Sequence, residues 1–245
     1  MLKKKTHPII VIDMRTKAKP INILLLNQEI TRGMKSLGSK ALLNIKNKFK
    51  LIDLQMQQIS KIYRNNTNIT VAVGFEAEKV SGYLIGKKYK CNILYNNDYS
   101  ENNAGSVVTR YLSKNSDIEN TLIVCNGILF KPKTILKTHL QGTSKIFTID
   151  KTKKNFNIGC TINDNKTEHL FYDLPNTWTE CAFLNQEAIT ALKSVISKKD
   201  ISQYYIFEIL NELIEDINFE NITYPRKNFC KLNNIKDIST VKLFI

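Results

Sequence analysis

An α/β fold, with a mostly parallel sheet carrying helices on both faces, is predicted by three features of this sequence. Short apolar runs bounded by turn residues alternate with amphipathic stretches through the first half. Closely spaced strand patterns and then two further helices fill the second half. The chain has 245 residues, 42% hydrophobic and 24% charged, which suits one large core of ordinary composition. Strands that alternate with helices imply a parallel sheet covered on both sides.

Ile21-Asn22-Ile23-Leu24-Leu25-Leu26, between Pro20 and Asn27, has the length and apolar content of a buried strand. Along residues 51–63, Ile52, Met56, Ile59 and Tyr63 recur at helical spacing and define one face. Residues 69–73 repeat the strand pattern and end at Gly74, and residues 76–84 repeat the helix, with Ala77, Val80 and Leu84 inward. A strand over 91–95, a helix over 104–112 and a strongly apolar strand over 121–125 complete this half. Strands are then predicted over 145–149, 157–162, 169–172 and 178–184, with a hairpin turn at Asn163-Asp164-Asn165-Lys166. Helices over 186–196 and 202–215, a short strand over 229–232 and a terminal helix carrying Ile235, Ile238 and Val241 close the chain. Residues 1–20 read as a basic arm, Lys3-Lys4-Lys5, with a short strand at Ile9-Ile10-Val11-Ile12, and residues 21–245 as a single domain.

Composition narrows the partners. There are 36 Lys and Arg against 22 Asp and Glu, a net charge of +14, which favours phosphate-bearing or other polyanionic partners. The pairs Asn65-Asn66, Asn96-Asn97, Asn102-Asn103 and Asn233-Asn234 show a bias towards Asn and Lys, which itself accounts for part of that charge. The five cysteines are scattered, with no Cys-x-x-Cys pair, so a zinc knuckle or disulfide framework is not expected and a reduced, cytoplasmic setting is. No apolar run is long enough to span a bilayer, so no membrane partner is expected. His7, His139 and His169 stand in no catalytic or metal-binding pattern, and Trp178 reads as packing.

In open α/β sheets ligands bind at the carboxyl ends of the strands. The loop from Asn27 to Lys40 occupies the first such place and holds the cations Arg32 and Lys40. The order of a strand, this loop, Leu37…Lys40-Ala41-Leu42-Leu43-Asn44-Ile45 and Leu51-Ile52-Asp53 resembles the sugar-phosphate and phosphocholine nucleotidyltransferases. Val73-Gly74-Phe75-Glu76-Ala77-Glu78-Lys79-Val80 is similar to their second strand and glycine turn. The segment from Tyr95 to Ser106 is similar to their nucleotide-contacting segment, and Lys231-Leu232-Asn233-Asn234-Ile235-Lys236-Asp237-Ile238 to their closing strand and helix. The resemblance implies a Rossmann-like, glycosyltransferase-A-type fold of nucleotidyltransferase type. It also implies an activity that joins a nucleoside triphosphate to a phosphorylated sugar or choline and releases pyrophosphate. On it, Arg32, Lys40, Asn103 and Ser106 are the expected nucleotide-binding residues, with Lys40 also catalytic if the protein is active. Two Asp residues would hold Mg²⁺, as cofactor of an active enzyme only.

The sequence departs from that pattern at the places where charge matters. The loop after the first strand carries Asn27, Gln28, Glu29 and Ile30 where glycines are expected, and Glu29 would repel a triphosphate. After the fourth strand the chain reads Val124-Cys125-Asn126-Gly127-Ile128, and on the closing strand the expected Asp meets Asn233, so neither metal position is acidic. Asp237 has the place of a helix cap. Asn103 and Ser106 have an alternative as caps of the helix that follows them.

Three functions follow. The first is a degenerate member of the fold, without its metal carboxylates, acting as a binding or structural component with a nucleotide, or with a protein partner through the arm. The second is an active divergent enzyme using Asp98, Asp150 or Asp173 to hold metal. The third is a basic structural protein, virion-type or nucleic-acid-associated, with a polyanion as partner.

Overall fold

The computed structural model describes residues 20–30, 33–46, 49–63, 67–99, 103–115, 117–150 and 157–245. The expected arm lies outside them, apart from Pro20, as does Arg32. In chain order the elements begin with β1 (Ile21–Asn27), β2 (Asn44–Lys46), β3 (Phe49–Lys50), α1 (Leu51–Tyr63), β4 (Thr67–Val73) and α2 (Ala77–Gly86). Then come β5 (Asn92–Tyr95), α3 (Gly105–Ser113), β6 (Thr121–Val124), β7 (Ile128–Phe130), β8 (Ser144–Ile149), β9 (Ile158–Asn163) and β10 (Lys166–Tyr172). The last are β11 (Asn176–Leu184), α4 (Gln186–Lys198), α5 (Ile206–Ile214), β12 (Phe219–Tyr224), β13 (Phe229–Lys231) and α6 (Asp237–Phe244).

The main sheet has the order β5-β4-β1-β6-β11-β8-β12-β10-β9. It is parallel from β5 to β6, and β1 lies inside this part, flanked by β4 and β6. Side chains on both faces of β1 are covered, so Ile23, Leu24 and Leu25 are all buried. Beyond β6 the sheet becomes mixed. β11 runs antiparallel to both β6 and β8, β12 lies parallel to β8, and β9 pairs with both β10 and β11. One apolar core extends through the sheet from Ile21 to Phe229, and Ile52, Met56, Ile59 and Tyr63 of α1 pack into it as their spacing predicts. The hairpin between β9 and β10 turns through Asp164 and Asn165, both left-handed, with φ of 46° and 63°, which suits the twist of the strands it joins.

Several sequence expectations change, and the short strands β2, β3 and β7 add to the predicted elements. The helix predicted over 202–215 starts only at Ile206. The carbonyls of Ser202 and Tyr204 instead accept the N–H groups of Ala104, Gly105 and Ser106, so they are committed to the start of α3. Strand β12 is absent from the sequence reading: its polar centre, Glu220 to Thr223, hides a six-residue parallel register against β8.

Candidate functional site

The carboxyl ends of β1 and β6, a bulge in β11, and the end of β13 converge on a cleft of about 420 Å³. Each polar group of the cleft has a local reason for its place. Gln28 and Glu29 follow β1 directly. Phe75 N–H donates to Gln28 O at 3.0 Å, an approach that requires Gly74, since a Cβ there would lie 2.7 Å from Gln28 O and 2.4 Å from Tyr99 Cβ. Lys40 opens a short 3-10 turn that is tied down from outside, because Ser39 N–H donates to Glu76 Oε2 at 2.7 Å.

The turn after β6 is held from beneath. Asn27 Nδ2 donates to Gln55 Oε1 at 3.1 Å, and Gln55 Nε2 donates to Ile128 O at 3.0 Å, so α1 stitches β1 to β7. Gly127 takes φ of 81°, and a Cβ there would lie 2.5 Å from Leu232 O. In β11, four steps from Trp178 to Ala182 oppose two steps from Thr148 to Ile146 in β8. This bulge puts Glu180 at φ 59°, and its side chain enters the cleft. Bulges re-aim side chains in this way beside functional sites. β13 pairs antiparallel with β7 and brings Lys231 onto Glu180, with which it forms a largely buried ion pair.

The cleft therefore holds two lysines and two glutamates in unequal states. Lys231 and Glu180 are bonded to each other. Burial alone would lower the pKa of the Lys231 ammonium, but the adjacent Glu180 carboxylate outweighs that and raises it. Among the described residues Glu29 receives one long hydrogen bond, 3.4 Å from Asn126 Nδ2, and burial pushes its carboxyl above the usual value despite the nearby Lys40. Lys40 is 5% exposed, and among the described residues its ammonium makes no hydrogen bond or ion pair. Burial lowers its pKa, and the charges of Glu29, Glu180 and Asp237 offset this only in part. Burial pushes the thiol of Cys125, also on the cleft wall, well above its ordinary value.

Of the residues expected to bind nucleotide, Lys40 lines the cleft. Asn103 does not line it, but its carbonyl accepts Gln28 Nε2 at 2.7 Å and its Nδ2 donates to Gln203, so it braces a residue that does. Ser106 Oγ bonds Asn96 Oδ1 at 3.2 Å, away from the cleft. Neither caps α3, whose first N–H groups go to the 202–204 carbonyls. Asn233 lines the cleft, and Asn126 stands beside it through Glu29. Asp237 fastens the loop before α6, accepting the N–H groups of Asn233 and Asn234 at 2.8 and 2.9 Å. Asp98, Asp150 and Asp173 are not among the lining residues. Sequence reasoning passes over Glu180 and uses Lys231 only as part of a pattern. A lone acid inside the apolar run of β11 is the available signal.

No protein-family profile and no curated protein matches the chain in sequence. Solved structures do match it in shape. A CTP:phosphocholine cytidylyltransferase from Streptococcus pneumoniae superposes with a TM-score of 0.73 at 12% identity, over 91% of this chain and 98% of that one. A nucleoside-diphosphate-sugar pyrophosphorylase from Vibrio cholerae gives 0.71 at 12% identity, over 91% and 99%. An inositol-1-phosphate CTP transferase from T. maritima gives 0.69 at 13% identity, over 91% and 94%. The chain has a nucleotidyltransferase-like fold. At such identities the likeness concerns fold alone.

The nucleotidyltransferase fold implies Mg²⁺, and the residues present do not fit it. Magnesium needs oxygen donors whose negative charge is not already neutralised. Asn126 and Asn233 offer amides, and the Lys40 Nζ lies 3.3 Å from where a Cβ at Gly127 would stand. Glu180 is committed to Lys231, and Glu29 faces Lys40. A dication would enter beside the Lys40 ammonium, which opposes it, and would have to displace Lys231 to reach the Glu180 carboxylate. Among the described residues no group of three or more His, Cys, Asp or Glu is placed to hold a metal. No helix among them is long and apolar enough to cross a membrane.

Proposed function

We propose that this chain is a nucleotidyltransferase-like protein that binds a nucleotide in the cleft, without metal-dependent nucleotidyl transfer, and serves as a binding component. One observation carries this reading: among the described residues, Lys40 is an enclosed ammonium at the cleft wall with no bonded partner. A buried charge costs several kcal/mol unless something pairs with it. A phosphate oxygen supplies that pairing with short, charge-assisted hydrogen bonds. The polar donor set at the two metal positions supports the rest of the reading, because in-line displacement at a phosphorus depends on charge neutralisation of the leaving pyrophosphate.

The test is turnover. Purified protein is incubated with each of the four nucleoside triphosphates, Mg²⁺, and phosphocholine or a sugar 1-phosphate, and pyrophosphate is measured. The expected result is no release above the protein-free control. Release at about 1 s⁻¹ or faster, an ordinary enzyme rate, would overturn the non-catalytic part of the proposal.

A further inference from the structure

The charges in the cleft define what the ligand must bring. Lys231 has its charge matched by Glu180, and Glu29 adds a carboxylate close enough to act on Lys40. The four groups sum to no net charge, and among the described residues Lys40 is the one of the four without a bonded partner. A triphosphate brings about four negative charges at neutral pH, and a phosphomonoester about two. Without a dication the cleft has nothing to set against the second and third phosphates, while Glu29 repels them. One phosphate group, by contrast, can be met by Lys40 at the cleft wall. Aromatic and amide groups (Gln28, Trp178 and Tyr205) line the remaining wall and suit a base and sugar more than bare phosphate.

We infer that the cleft takes a nucleoside monophosphate, and takes it without a divalent cation. The inference rests on the reading of the cleft as a nucleotide site and sharpens it. In this arrangement Lys40 alone meets the phosphate, the neutral Lys231–Glu180 pair adds no charge that would call for more anion, and Glu29 excludes longer phosphate chains. Such a ligand also has no pyrophosphate to lose, so binding without turnover is the natural outcome.

Calorimetric titration of the full chain tests this with inorganic phosphate, the four nucleoside monophosphates and the four triphosphates, each in EDTA and in Mg²⁺. At least one monophosphate is expected to bind equally in both buffers, and about tenfold more tightly than its own triphosphate and than inorganic phosphate. Lys40→Met is expected to weaken that binding about tenfold or more, with the fold checked by circular dichroism. Glu29→Gln is expected to narrow the gap between mono- and triphosphate. A requirement for Mg²⁺, a tighter triphosphate, or equal binding of inorganic phosphate overturns the inference. The first two of those results leave the nucleotide reading standing. Absence of binding by every nucleotide overturns both.

Discussion

The region around Asp53 and the region around Lys40 each bury a charge, and they treat it in opposite ways. Asp53, 2% exposed at the start of α1, accepts Lys50 N–H at 2.8 Å and the hydroxyls of Tyr83 and Tyr89 at 2.7 Å each. Its carboxylate is fully engaged and ties α1 to β3, to α2 and to the turn that follows α2. Lys40, at 5% exposure, has neighbours of opposite charge but no bonded partner among the described residues. Burial that is satisfied from within is structural, and burial that is left open at a cleft is what the proposed nucleotide site rests on.

Substitutions should separate the two regions. The largest effect is expected at Asp53→Ala, which strands three donors and costs about 4 kcal/mol of stability. Chemical denaturation would show it, with ligand affinity of the folded fraction unchanged. A loss of affinity equal to that at Lys40 would erase the distinction. Next comes Lys231→Met, which leaves Glu180 buried alone and costs about 3 kcal/mol. Adding Glu180→Gln to it should recover most of that loss, as expected for a pair within one network. A double variant no more stable than the single one would show that Lys231 acts through something other than Glu180.

Lys40→Met is expected to act in the other direction, raising stability by about 1 kcal/mol, or about 2–4 °C in melting temperature. The smallest effect concerns pH. Burial raises the Glu29 carboxyl above its ordinary value of 4.5, so the folded state binds that proton more readily. Its contribution to stability is then fully present below that value and is lost as pH rises through the folded-state pKa. The stability of the wild type relative to Glu29→Gln should therefore fall as pH is raised from 4.5 towards neutrality. A difference that grows over that range would mean that Lys40 dominates the carboxyl and lowers its pKa.

The fold is largely legible in the sequence because its signals are local. The face Ile52, Met56, Ile59, Tyr63 and the bounded strand at Ile21 specify their elements without reference to the rest of the chain. β12 is hidden because its pairing with β8 is long-range and its own centre is polar. The false start of the helix near Ser202 has the same origin, since contacts with α3, distant in sequence, decide the fate of those carbonyls. At the site, Lys40 can be named from the order of the pieces. Glu180 cannot, because a left-handed bulge residue turns it inward, and alternation along a regular strand says nothing about that. From sequence, Glu29 reads as repulsion alone, whereas in the fold it also faces Lys40 and receives Asn126.

The most direct test compares thermal unfolding of the wild type and Lys40→Met in EDTA, each alone and with every nucleoside monophosphate. The wild type should be stabilised by at least one of them, by about 2.7 kcal/mol at a hundredfold excess over Kd. Lys40→Met should unfold at a higher temperature than the wild type without ligand and gain nothing from any nucleotide. A variant that unfolds at a lower temperature, yet is stabilised by the same nucleotide as fully as the wild type, would contradict the account.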